Sequence, residues 1–343
     1  KNIKMKKALH LYANDGHNNS GDFIIGPATK WHFETNILKE KVEWSNKNIR
    51  GLFESKEAEF INQHDCVLVG GGGLILPDTN PNNLSCWQWP IASSTIKQIN
   101  IPMYVVAVGY NLFHEQKITM PHRNNTEYPE RYGIFKDNIE ALIDTSHHFS
   151  LRHNGDCDRL KEIVDQRYHN KIKFEFCPTI EFSKYFQEKN NLVSADRELY
   201  AFEVKDDRPE RRYYKTSRAA FYQDLKAYIL HLLSLDKKVC ILSHDGSTSF
   251  KSYLESESVK VGYISNAFST EEKIISNYLK IKRLFCMAGH SQMMGHALGC
   301  DVISMISHNK QKYFLQDIGQ YNHDRYVDVN NDSVFQKLME IHK

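Results

Sequence analysis

Asp65-Cys66-Val67-Leu68-Val69-Gly70-Gly71-Gly72-Gly73-Leu74-Ile75-Leu76 is the stretch on which the fold turns. An apolar run follows an acidic residue, meets four glycines and resumes as three apolar residues. Such a run, bounded by turn signals, reads as a strand buried on both faces, with the glycines at its carboxyl end. In an open α/β sheet that edge is where ligands bind. Glycine there costs backbone entropy, so something small and close is being kept: tightly packed chain, or a ligand on bare amides.

Working outward, the same grammar recurs. Ala8–Tyr12 is a first strand, and the turn-rich loop Asn14–Asp22 leads to a helix beginning near Phe23, with Ser20 or Asp22 as its cap. Residues 34–62 read as charged and helical. Pro102–Val108 is a second buried strand that ends in Gly109-Tyr110-Asn111, and 114–133 reads as a long polar loop or lid. A helix at 134–145, a strand at Phe149–Arg152 and a helix at 156–166 follow, and Glu181–Ser194 reads as a polar linker. Beyond it, strands at 199–204, 238–245, 259–263, 284–288 and 302–305 alternate with helices. Strands alternating with helices imply parallel sheets. The expected architecture is therefore α/β, with two Rossmann-like parallel-sheet domains, 1–182 and 196–343, facing a central cleft as in GT-B enzymes. The last helix is expected to pack back on the first domain.

Composition narrows the function. The 44 basic and 42 acidic residues nearly cancel at +2, which argues against nucleic acid as a partner. Seven cysteines form no CxxC pair and no zinc spacing, so buried free thiols in a reduced compartment are expected. No stretch approaches the ~18 apolar residues of a membrane span, and a cytoplasmic protein is the expectation. Gly70–Gly73 lacks the Lys-Ser/Thr of a P-loop and the spacing of a dinucleotide fingerprint. Asp156-Cys157-Asp158 fits a DxD pattern but opens a helix, where acidic residues are favoured anyway, so no metal and no cofactor are expected.

Several stretches together resemble the polysaccharide pyruvyl transferase family. They are Gly16-His17-Asn18-Asn19-Ser20-Gly21-Asp22, the Gly70–Gly73 strand, Ser150-Leu151-Arg152, His290 with Gly299 beyond it, and Lys310 ahead of Phe314 and Asp317. One position departs: the family usually carries Arg two residues before the histidine, and here Ala288 stands there. Lys310 or Arg283 is the expected substitute.

The resemblance implies transfer of an enolpyruvyl unit from phosphoenolpyruvate to two hydroxyls of a sugar, giving a cyclic ketal in cell-envelope polysaccharide biosynthesis. A lipid-linked oligosaccharide acceptor would bring the protein to the inner face of the membrane. His290 is then the acid that protonates the enol methylene, against the alternative of a capping or core histidine. Arg152 is the fork for phosphate or carboxylate, against an ion pair with Asp156 or Asp158. Lys310 and Ser291 complete the donor set. Asp22 either takes a proton from the sugar hydroxyl or caps its helix. Asn18, Gly71, Gly72, Gly73, Asn111 and His244 are placed on the acceptor side, His244-Asp245 with strand-end turn chemistry as the alternative. Trp87 and Trp89 suit a sugar face or the core. The rival readings are a GT-B glycosyltransferase with a nucleotide-sugar donor and a non-catalytic glycan-binding protein.

Overall fold

The computed structural model describes residues 5–15, 18–51, 55–77, 82–111, 113, 129–194 and 196–342. The chain divides into two compact units, one of residues 1–16 and 25–178, the other of 17–24 and 179–343. Each holds a six-stranded parallel sheet.

The first unit runs β1 (Lys6–Tyr12), α1 (Ser20–His32), β2 (Val42–Asn48), α2 (Ser55–Ile61), β3 (Cys66–Ile75), α3 (Ser93–Ile96), β4 (Met103–Tyr110), α4 (Pro129–Thr145), β5 (His148–Leu151), α5 (Asn154–Lys161) and β6 (Lys173–Phe174). Its strand order is β2-β1-β3-β4-β5-β6. The order reverses between β1 and β3, which makes the carboxyl end of β3 a topological switch point.

That is where the four glycines lie, although not as expected. They are inside β3, which pairs with β4 through Gly70 and Gly72 before the register shifts ahead of Ile75. Gly70 and Gly72 take φ of +113° and +92°, a region closed to most side chains. A side chain at Gly70 would strike Val108 and the Val106 carbonyl, and one at Gly71 would press on Ile25 and Thr29 of α1. Thr29 instead accepts the Gly71 N–H at 3.1 Å. The glycines let a helix and neighbouring side chains close onto the strand.

Two further expectations change. Within 34–62 lies β2, an edge strand whose polar, half-exposed residues carry little apolar signal. The presumed linker is mostly α6 (Thr179–Lys189), an amphipathic helix with Ile180 and Phe182 buried. The polar loop predicted over 114–133 lies outside the described residues through 128, and 129–133 belong to α4.

The second unit continues with β7 (Leu199–Glu203), α7 (Pro209–Arg212), α8 (Arg218–Ser234), β8 (Lys238–Ser243), α9 (Ser249–Ser256), β9 (Gly262–Ser265), α10 (Glu271–Tyr278), β10 (Ile281–Cys286), α11 (Gly289–Ala297), β11 (Asp301–Ile306), α12 (Asn309–Asp317), β12 (Tyr326–Asp328) and α13 (Val334–His342). Its order is β12-β11-β10-β7-β8-β9, with the switch point between β7 and β10. Phe202 and Phe285 of those two strands stack at 4.4 Å in the core. The last helix packs within this unit, on α8 and β12, through Val334 and Leu338. Trp87 and Trp89 are core residues of the first unit, 6.1 Å apart edge to face, and the Trp87 indole donates to Asn138.

Candidate functional site

In the second unit the chemistry collects where four parallel strands end. β10 leads straight into α11, so Gly289, His290 and Ser291 form the helix's first turn, whose amides have no intrahelical acceptor and point positive. The preceding amides of Met287 and Ala288 are taken by the buried Glu203 carboxylate of β7, at 3.0 and 2.7 Å. Burial raises the Glu203 pKa, with Lys205 opposing. Glu203 thereby fixes the turn on which His290 stands.

His290 is 9% exposed, and its ring lies 6.3 Å from that of His244 at the end of β8. The start of α1 closes over this pair. Ser20 donates its backbone N–H to the His244 carbonyl at 3.0 Å, and its hydroxyl lies 2.9 Å from both that carbonyl and Nδ1. Gly21 meets His290 so closely that only glycine fits. The helix cap is neither Ser20 nor Asp22 but Asn19, whose Oδ1 accepts from the amides of Gly21 and Asp22. Asp22 keeps a half-buried place in the first turn, and Asn18 is exposed just before it.

Ser291 turns inward. Tyr278 donates to its oxygen at 3.0 Å, which leaves the Ser291 proton for His244 Nδ1 at 3.3 Å. With the Ser20 proton on the carbonyl, this network assigns the His244 proton to Nε2. Burial, with Lys205 nearby, pulls the His244 pKa down to about 3, so the ring is neutral.

Ala288 carries no charge, and the cations on the strands and helices around it are differently engaged. Arg283 pairs with Asp301 early in β10, at 2.6 Å. Lys310, in the first turn of α12, runs its methylenes along Gly289. Lys205, just beyond β7, is ion-paired with Asp245 and sits 3.7 Å from Asp207. Lys205 was invisible to motif reasoning because a single Lys after a strand carries no pattern.

The first unit holds a second group. Arg152 follows β5, is 3% exposed, and its Nη2 donates to Asn111 Oδ1 at 3.0 Å. Its guanidinium fills the space over Gly73 and Gly109, where a side chain would collide with it or with Asn111. Neither Asp156 nor Asp158 forms the ion pair considered from sequence. Asp156 is buried at the start of α5, accepts the Tyr110 N–H at 3.2 Å, and has its pKa raised by burial. His153 and Arg152 oppose that rise, so both stand beside it. Sequence reasoning missed His10, whose Nε2 donates to the Gly70 carbonyl and whose pKa burial lowers to about 3. Gly72 alone of the four has open space where a side chain would be.

The predicted residues thus form two sets: His244, His290, Ser291 and Lys310 with the Asn18–Asp22 segment in one unit, and Gly71–Gly73, Asn111 and Arg152 in the other. Among the described residues no three His, Cys, Asp or Glu side chains are grouped to hold a metal ion.

No family model and no curated protein matches the chain. Solved structures do. MnaA of S. aureus in a UDP co-structure aligns at TM-score 0.56 and 10% identity, over 99% of this chain and 88% of that one. The UDP-GlcNAc 2-epimerase of Methanocaldococcus jannaschii aligns at 0.55 and 13%, over 98% and 92%. A glycosyltransferase of Rickettsia africae aligns at 0.53 and 12%, over 99% and 89%. At such identities the likeness is one of fold: two Rossmann-like domains of the GT-B kind.

Proposed function

We propose that the chain is a transferase acting on a sugar of a cell-surface polysaccharide or its lipid-linked precursor, with phosphoenolpyruvate as donor. The observation that carries this reading is His290 in the first turn of α11, with the Lys310 side chain laid along the preceding Gly289. An acid, a cation and a positive helix end then serve one small substrate that carries both a carboxylate and a phosphate.

Imidazolium at His290 protonates the enol methylene, turning it into the methyl group of the ketal. The adjacent carbon gains oxocarbenium character and is attacked by the first sugar hydroxyl. Its bond to the phosphate oxygen then breaks, and the second hydroxyl closes the ketal. Of the two hydroxyl protons, one replaces that lost by His290 and the other leaves with inorganic phosphate. Lys310 and the α11 amides stabilise the departing charge. Neutral His244, its Nδ1 taken by Ser291, keeps an Nε2–H that can donate a hydrogen bond. Arg152, held by Asn111, is a fork for a carboxylate or phosphate. No helix among the described residues is long and apolar enough to cross a membrane.

The second reading, a glycosyltransferase with a nucleotide-sugar donor, is favoured by the fold likeness to enzymes of UDP-sugars along nearly the whole chain. Thermal shift separates the two. Phosphoenolpyruvate is expected to raise the melting temperature and UDP-GlcNAc to leave it unmoved; the reverse result selects the second reading. Phosphate release from phosphoenolpyruvate, with an acceptor glycan present, is expected to vanish in His290→Ala and Arg152→Ala.

A further inference from the structure

Beyond His244 the carboxyl edge of the second sheet carries an aromatic ring and a row of hydroxyls that the proposed chemistry does not use. Ser243 pairs with Ser265, so the turns that follow β8 and β9 leave the sheet side by side. They also touch: a Cβ on Gly246, whose φ is +85°, would lie 3.5 Å from that of Ala267.

The β9 turn is tied down along its length. Asn266 donates its N–H to the Ser243 carbonyl at 2.9 Å, and its Oδ1 accepts from Asn277 of α10 at 2.8 Å. Ser265 Oγ accepts the Ala267 N–H at 3.3 Å, and Thr270 caps α10. Between these fixed points Phe268 stands with φ of 56° and 78% of its surface exposed. A left-handed backbone and an aromatic ring in water both cost free energy, and the turn holds both at one residue. No ring or cation contact covers Phe268 among the described residues.

The β8 turn supplies the hydroxyls. Ser247, Thr248 and Ser249 follow Gly246, and none of these side chains has a hydrogen-bond partner among the described residues. The row continues down α9 into a groove of about 460 Å³ against α8, lined by Ser249, Ser252, Ser256, Tyr253, Tyr222 and Arg218. The three serines share one helix face through their spacing of three and four. Arg218 stands 5.8 Å over the Tyr222 ring and has neither ion pair nor hydrogen bond among the described residues.

We propose that this edge is a glycan track. One sugar ring of the acceptor stacks on Phe268, its hydroxyls meet Ser247 and Thr248, and the chain continues into the groove toward Tyr253 and Arg218. A sugar ring has an apolar C–H face with hydroxyls around its rim, which an exposed aromatic flanked by hydroxyls matches. β9 lies three strand spacings, about 14 Å, from the β10 that leads to His290. A sugar on Phe268 is therefore remote from one at His290, and the acceptor is an oligosaccharide rather than a monosaccharide. The inference rests on the proposed reading only in that the substrate is a glycan; the donor does not enter.

The probe is an array of defined mono- and oligosaccharides, with UDP beside them, read with labelled protein and no donor present. Oligosaccharides are expected to be retained and their component monosaccharides not. Phe268→Ala is expected to weaken retention about tenfold, and Phe268→Tyr to keep it. Ser252→Trp, which fills the groove from an exposed position, is expected to weaken it as much. Phe268→Gly removes the ring and the left-handed strain together, so retention is expected to fall without a lower melting temperature. No retained oligosaccharide, or retention unchanged in either folded variant, Phe268→Ala or Ser252→Trp, overturns the proposal. Retention of UDP in place of any glycan, lost with the Phe268 ring, overturns it too, since the ring then serves a nucleobase. Glycan retention without any consumption of phosphoenolpyruvate leaves the track standing and removes the donor reading. Turnover of phosphoenolpyruvate on a glycan that Phe268→Ala binds unchanged is the converse result.

Discussion

Gly21 and His290 touch at a distance that leaves no room for a side chain: a Cβ on Gly21 would lie 2.1 Å from Nδ1 of His290. The backbone of the α1 start is one wall of the imidazole's seat, and the histidine's rotamer depends on that glycine. The resemblance set Gly21 in its first-loop motif and His290 among the candidate site residues, and the fold brings the two into contact.

Gly21→Ala tests whether that seat matters. Alanine is the better helix former by about 1 kcal/mol, so the melting temperature is expected to change little. The displaced ring is expected to cut phosphate release at least about tenfold, a general acid's usual contribution being ~10²–10⁴. An unchanged rate would remove His290, as placed here, from catalysis.

Gly109→Ala asks the same of Arg152, since the new Cβ would fall 2.5 Å from its Nε. The guanidinium must move away from Asn111, and overpacking of a buried strand costs about 1–3 kcal/mol. Donor turnover is expected to fall sharply. A variant that folds and keeps full turnover would return Arg152 to a packing role.

Glu175, just after β6, ties α1 to β5, accepting from His32 at 2.5 Å, His148 at 2.8 Å and Ser150 at 2.5 Å. Burial opposes its charge, yet His148, His32 and Ser150 outweigh that and hold its pKa well below the usual range. A carboxylate with a depressed native pKa contributes stability above its unfolded pKa of ~4.3 and loses it as pH falls further. Glu175→Gln is expected to cost about 1–3 kcal/mol at pH 7, and less at acid pH. Denaturant titrations at several pH values measure it; an equal loss at every pH would refute the assignment.

His10 and His244, each with its pKa lowered to about 3 by burial, add an acid sensitivity of their own. The unfolded chain takes up a proton on each near pH 6.5 and the native chain does not. Stability is therefore expected to fall as pH drops from about 6.5 toward 3, by up to about 1.4 kcal/mol per pH unit per histidine. Proton uptake on unfolding at pH 5 reads this directly, and His10→Asn is expected to remove one proton of it.

The parts legible in sequence are those with a strong local signature. Val67–Val69, Val105–Val108 and Ile241–Leu242 are apolar runs that only a buried strand explains, and their alternation with helices dictates parallel sheets. β2 was missed because an edge strand needs only one partner, so half its side chains remain polar. The helix α6 was missed because its charged face masks Ile180 and Phe182. His290 and Lys310 were singled out by motif spacing, whereas Lys205 and Asp207 lie between β7 and α7 in a stretch with no motif at all.

By itself the sequence determined the two α/β halves and the strand ends at which chemistry had to collect, because burial periodicity and the parallel-sheet rule are local. Tertiary structure alone decided which groups meet there. The Gly70–Gly73 strand proved to be a packing surface for Thr29, Ile25 and Val108, because φ and close approach depend on the neighbours a strand acquires. Lys205 and Arg212 proved to converge on Asp207, because a cation's partner is set by which carboxylate lies within a few ångströms of it, and that distance is written nowhere along the chain.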